Sequence, residues 1–289
     1  SRARGILLIF IYAYLLLIMA AFGKIVGYDL MTNPAVPLGV ILVMVFGLLA
    51  GQMTYRWKQD IILTSVVTVI GAFIGIWLGT LGPVQDVFAW LSTLGQETSP
   101  VLFGSVTWAQ FLWSSVTLVL CYFGAVLPIW RWAQPINYVA FWIVFLGILG
   151  GTLGLIIWHP AIPAEFPAYN NFSATMSYTA ADGTVTDVGG LGPLWPILFV
   201  TIACGAISGW HSLVSSSGTA RQLEKEGDAL FVGGGSMFLE MFLAVLSLLT
   251  ALVGVGATQG WNGYAGLVAA GKNAGVFAVG LSEFLSYIG

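Results

Sequence analysis

Apolar residues run along this chain in long unbroken stretches, neither alternating nor amphipathic. A bilayer core about 30 Å thick takes about 20 residues of helix to cross. Seven stretches approach that length: residues 5–23, 36–53, 61–81, 105–129, 137–158, 193–209 and 230–256. An eighth, 265–288, carries Lys272 and Glu283 and is rich in glycine; it reads as a weak span, an interfacial helix or a cut one. A membrane β-barrel needs short alternating segments, which these are not. The first stretch is too long and too uniform for a cleaved leader. The pattern predicts an all-α, polytopic transmembrane helix bundle of about seven spans.

Composition narrows this further. Charged residues make up 7% of the chain and hydrophobic ones 58%, against about 25% charged in soluble domains. So few charges cannot cover a soluble surface, so the lipid bilayer is the expected surrounding. Cys121 and Cys204 both lie in apolar runs, which excludes a disulfide scaffold. A net charge of −3 with no basic cluster excludes nucleic acid as a partner.

Lys and Arg then set direction, because cytoplasmic loops carry their excess. Arg2, Arg4, Arg56, Lys58, Arg131, Arg221 and Lys225 fall on one side of the predicted spans, and Lys24 and Lys272 on the other. Seven against two places the N-terminus of a multi-pass protein of the cell membrane in the cytoplasm. The segment 159–191 then becomes an extracytoplasmic loop. It holds no Lys or Arg and is rich in turn formers such as Asn170, Asp182-Gly183 and Gly189-Gly190, as a small cap or hairpin would be. Asn171-Phe172-Ser173 fits a glycosylation sequon, which matters only on a eukaryotic secretory route. Residues 1–289 read as a single membrane domain. With no Met at its start and no tail after its last apolar run, the chain is expected to be a piece of a longer protein.

Two glycine patterns carry packing. Gly71, Gly75 and Gly79 recur every four residues, as do Gly147 with Gly151 and Gly150 with Gly154. Such rows let helix backbones approach closely, within the bundle or across a dimer. Several tryptophans, among them Trp57, Trp130, Trp132 and Trp158, stand near span ends, as interfacial belts require.

Chemical motifs are sparse. Gly233-Gly234-Gly235 lacks the Lys of a phosphate loop. His159 and His211 are far apart, with no cysteine at ligand spacing, so no metal, cofactor or catalytic residue is expected. Ser208 and His211 read either as polar glue or as the nucleophile and base of an intramembrane hydrolase. The sixth stretch turns polar partway down. Thr201, Cys204, Ser208, Ser212 and Ser215 share one helical face, beside Gly205 and Gly209. This is either a helix broken in mid-membrane, whose freed backbone groups bind ions or substrate, or a helix that ends early in a polar loop. Glu240 lies about 15 Å into the seventh stretch at 1.5 Å per residue. A charge there costs at least about 2.5–3.5 kcal/mol. With Gly233, Ser236, Ala244 and Ser247 on its face, it is expected to look into the bundle, as hydrogen-bonding glue or as a proton carrier or cation ligand.

The run from Phe199 through Thr201, Cys204-Gly205-Ala206-Ile207-Ser208-Gly209-Trp210-His211, continued by Ser215-Ser216, Asp228-Ala229, Gly233 and Glu240, resembles the signature of the carbon starvation protein A family. The likeness is dense over residues 196–251; before that it is one of hydropathy and order. Ser217-Gly218-Thr219-Ala220 departs from the family's usual Ser-Gly-Thr-Thr-Pro, and the 159–191 loop is long. The resemblance implies part of an amino acid–polyamine–organocation type fold with a broken helix, and further spans ahead of Ser1. It implies a secondary transporter that takes up peptides or pyruvate with protons under starvation. Thr201, Gly205, Ser208, Gly209, His211 and Ser212 would line the substrate or ion path, and Glu240 and Asp228 would carry the proton. The rival classes are a non-transporting sensor or scaffold of nutrient state and an intramembrane enzyme.

The orientation has a direct test. In a variant lacking Cys121 and Cys204, Ala180→Cys is expected to react with an impermeant thiol reagent from outside the cell. Gln222→Cys is expected to react only after permeabilisation. The opposite pattern inverts every loop.

Overall fold

The computed structural model describes residues 2–169, 172–179, 183–206, 211, 214–216, 218–270 and 273–288. It is an all-α polytopic bundle with two small hairpins. Among the described residues, six helices are long and apolar enough to cross a membrane. Helix α1 (Arg2–Gly23) continues as a π-helical segment to Leu30. Helix α2 (Val36–Gly51) likewise ends in a π-helical turn, Gln52–Arg56. Then come α3 (Ile61–Gly79), α4 (Gly82–Thr93), the hairpin β1 (Val101–Phe103) with β2 (Val106–Thr107), α5 (Trp108–Val126) and α6 (Ala133–Trp158). The 159–191 segment does form a hairpin, with β3 (Ser173–Thr179) antiparallel to β4 (Val185–Pro193). A π-helical turn, Leu194–Leu198, leads into α7 (Phe199–Ala206). After a 3-10 turn at Thr219–Gln222 come α8 (Asp228–Leu249), a π-helical stretch Thr250–Val255, α9 (Gly256–Ala269) and α10 (Asn273–Ser286).

Two compact units are distinguished, Ser1–Phe145 and Leu146–Gly289. In the first, helix starts are set by local capping. The Asp60 carboxylate accepts from the Ile62 and Leu63 amides at 2.9 and 3.3 Å, satisfying donors that α3 would leave unpaired. Thr107 and Gln110 cap α5 reciprocally, at 2.9 and 3.4 Å. The glycine row of α3 faces α2. A Cβ on Gly71 would strike the Phe46 ring, one on Gly75 would stand 2.6 Å from Leu42 Cβ, and one on Gly79 would stand 2.6 Å from the Ala35 carbonyl oxygen. The row therefore packs helices inside the bundle. Thr64 and Thr68 are fully buried, and their hydroxyls donate back to the Asp60 and Thr64 carbonyls at 2.9 and 2.7 Å. Buried hydroxyls in an apolar bundle need such local acceptors.

In the second unit, Ile148, Leu246, Val253 and Phe284 form the core. Again glycine permits the approach. A Cβ on Gly151 would lie 2.5 Å from Leu281 Cδ1, and one on Gly154 would overlap the Phe284 carbonyl oxygen. Gly254 and Gly280 meet backbone to backbone.

The described helices differ from the expected spans in their bounds. The run 230–256 is longer, forming one apolar stretch from Asp228 to Ala269. That stretch is interrupted at Gly260, whose φ of +65° and ψ of −171° are open essentially only to glycine. The Trp261 amide freed there donates to Glu165 Oε2 at 2.7 Å, from the loop after α6. Over the run 193–209 the described helix comprises the turn Leu194–Leu198 and the segment Phe199–Ala206. Of the break expected within 205–212, residues 207–210 and 212 lie outside the described residues. Over the run 265–288 two helices are described, with residues 271–272 between them outside the described residues. Helix α9 ends at Ala269, and α10 has 14 residues, about 21 Å of helix, less than a bilayer core.

Glycine packing makes a paired prediction. Gly154→Ala drives a methyl into the Phe284 backbone and is expected to destabilise by about 1–3 kcal/mol, since rigid backbone cannot yield. Gly147 has nothing within 4 Å of an added Cβ, so Gly147→Ala is expected to be neutral or slightly stabilising. Thermal unfolding midpoints in detergent measure both.

Candidate functional site

The helical face of α8 built by Ala229, Val232, Gly233, Ser236, Met237 and Glu240 repeats at three- and four-residue spacing. This face forms one wall of a cleft of about 840 Å³. His211, Val214, Ser215, Ser216, Thr219, Ala220 and Leu223 form the other wall. The cleft is thus made from the polar stretch that follows α7 and the small, polar stripe of α8.

Its chemical centre is a pair. His211 Nε2 stands 3.6 Å from Glu240 Oε2 and 3.2 Å from the Gly205 carbonyl oxygen. The shorter contact is a hydrogen bond from Nε2–H to the carbonyl. The longer one exceeds hydrogen-bond range and acts as an ion pair when the imidazole carries its proton. The two side chains are 40% and 42% exposed. Glu240 therefore looks into an open cleft, not the packed interior expected for it. The reason is that the core begins one turn further on, at Leu243 and Leu246. Ahead of it, Leu230 and Phe231 are each 84% exposed, and Gly233, Gly234 and Gly235 have open space around them.

The other expected site residues divide. Gly205 touches His211 through its carbonyl. The Thr201 hydroxyl donates to its own helix at the Ile197 carbonyl, 2.9 Å away, and does not line the cleft. The Ser236 hydroxyl also turns to its own backbone, at Val232 and Gly233. Ser208, Gly209 and Ser212 lie outside the described residues. Asp228 is exposed at the first turn of α8. It is twelve positions before Glu240, about 18 Å along the axis, and is not part of the pair. Ala244 and Ser247 of the predicted stripe do not reach the cleft. What sequence reasoning missed is the pairing of His211 with Glu240 and the wall at Val214, Thr219 and Met237. For Met237 the signal was present in its helical spacing to Gly233 and Glu240. Among the described residues no three His, Cys, Asp or Glu side chains come together to hold a metal.

Six apolar helices long enough to cross a bilayer, with an open cleft among the described residues, define a multi-pass membrane protein. The chain belongs to the carbon starvation protein CstA family, which it matches over residues 1–286. It is 32% identical over 200 residues to the peptide transporter CstA of Escherichia coli (strain K12), covering 64% of this chain and 26% of that protein. It is 30% identical over 200 residues to the pyruvate/proton symporter BtsT of the same strain, with the same coverage. The peptide transporter CstA of Bacillus subtilis (strain 168) is 29% identical over 241 residues, 81% of this chain and 34% of that protein. The chain thus spans about a quarter to a third of the length of these curated relatives. No solved structure matches it.

Partial exposure of both partners means the pair adds little to folding. Ion pairs of this kind are worth at most about 1 kcal/mol. His211→Gln is expected to leave the unfolding midpoint in detergent within 3 °C of the parent, about what that energy amounts to for a chain of this size. A drop of 10 °C would make the pair a structural element.

Proposed function

We propose that the chain is part of a secondary transporter of the bacterial inner membrane that takes up peptides or pyruvate-like small carboxylates together with protons under carbon starvation. The observation that carries this reading is the His211–Glu240 pair, 3.6 Å apart in an open cleft. Family membership and the printed names of the relatives support it.

A coupling site must hold a proton in one state and lose it in another. The pair is neutral overall when it shares one proton, whether that proton sits on the carboxylate or on the imidazole. Losing it leaves a lone carboxylate charge, which is costly at membrane depth. Reorientation of the cleft is therefore easier with the proton bound. That difference between protonation states is what a proton gradient acts on. Asp228, at the first turn of α8, forms the second proton-carrying position. Gly205, whose carbonyl oxygen meets His211, belongs to the path on the α7 side, and the family resemblance assigns Ser208, Gly209 and Ser212 to the same path. The Thr219–Leu223 end of the cleft faces the cytoplasm, and no metal or cofactor takes part.

Uptake into proteoliposomes tests the reading. With a pH gradient, labelled pyruvate or dipeptide is expected to accumulate. Binding without accumulation points to a sensor, and conversion of the substrate to an enzyme. Glu240→Gln keeps the shape of the side chain but cannot release a proton. It is expected to insert and fold normally and to lose gradient-driven accumulation by at least about tenfold, the cost of removing one essential proton-transfer group. Exchange of substrate without net proton movement is expected to survive. Accumulation by Glu240→Gln at the parent rate would remove Glu240 from the coupling role.

A further inference from the structure

A second cleft, of about 710 Å³, lies within the first unit at the end of the α2 span. Leu48, Gly51, Gln52 and Tyr55 contribute one helical face, and Arg56 is the last residue of that span. Leu127, Trp130, Arg131 and Trp132 close it from the connection between α5 and α6. Two guanidiniums thus line one cavity, and no acidic side chain does. Asp60, the nearest carboxylate along the chain, is committed to capping α3. Among the described residues neither Arg56 nor Arg131 is in an ion pair. Apart from the Gln52 amide, the rest of the lining is apolar or aromatic, with Tyr55 and Trp130 edge to face at 5.8 Å.

We propose that this cleft binds the phosphate group of an anionic membrane lipid. Guanidinium forks match phosphate oxygens bidentately and prefer them to neutral ligands. Two unpaired positive charges at one site call for an anion. The location chooses its source. The cleft sits where three apolar helices end or begin, so its mouth is at the headgroup level. Trp130, Trp132 and Tyr55 are of the type that settles there. Leu48 and Leu127 offer a surface for glycerol and acyl carbons, which a free phosphate ion does not use. Both arginines belong to loops that charge bias assigns to the cytoplasmic side, where anionic lipids attract basic residues.

The test uses the whole chain, delipidated in detergent, with bound lipid counted by native mass spectrometry. Dioleoylphosphatidylglycerol is expected to bind roughly tenfold or more tighter than dioleoylphosphatidylcholine, the scale set by two interfacial basic residues. Arg56→Gln with Arg131→Gln is expected to abolish that preference. Arg221→Gln with Lys225→Gln removes equal charge elsewhere and is expected to keep it. Should the double glutamine variant fail to fold, as read by circular dichroism, Arg56→Lys with Arg131→Lys replaces it. That variant keeps the charge, loses the fork and is expected to bind phosphatidylglycerol several-fold more weakly. Equal binding of the two lipids, or parent-like binding by the folded glutamine or lysine variant, overturns the proposal. So does displacement of the lipid by equimolar glycerol phosphate, which would make this a site for a soluble phosphate. None of these readouts depends on transport.

Discussion

Backbone hydrogen bonding governs this structure. In hydrocarbon no water stands ready to satisfy a free amide or carbonyl, so each must find its partner in the protein. The long apolar runs are helical for that reason. Where a helix is interrupted, a side chain steps in. At Gly260 the freed Trp261 amide is taken by the Glu165 carboxylate from a distant loop. Buried threonines obey the same rule by donating to their own helix.

Glycine is the second organiser, and it acts through distance. Lipid tails are as apolar as leucine, so helices associate in a bilayer through close packing. The α3 row lets Phe46 and Leu42 of α2 seat against bare backbone. Gly150, Gly151 and Gly154 of α6 receive Leu285, Leu281 and the Phe284 backbone in the same way. Not every glycine is used like this. Gly233, Gly234 and Gly235 have open space where a Cβ would stand, and Gly233 lines the cleft beside His211 and Glu240.

The two clefts differ in their chemistry as their linings do. One brings the His211 imidazole within 3.6 Å of the Glu240 carboxylate. The other holds two cations that do not titrate in the physiological range and no acid.

Much of this was legible in the residues themselves. Hydropathy alone located the apolar helices of α1, α2, α3, α5, α6 and α8, because each run is long enough to cross a bilayer and too poor in charge to leave it. Turn formers between His159 and Leu191 announced the β3–β4 hairpin. The motif around Phe199–His211 marked the family. The amphipathic α4 was not legible, nor was the exact end of α1. A run of apolar residues carries no periodic signal that separates a continuous helix from one broken at Gly260, since a glycine tolerates either conformation. Likewise His211 and Glu240 are 29 positions apart, and only the return of the chain along α8 brings their rings and oxygens together. The same holds for Arg56 and Arg131. Their shared side of the membrane follows from charge bias, but their shared cavity follows from how α2 packs beside the α5–α6 connection, and packing of this kind depends on which helix faces meet in three dimensions.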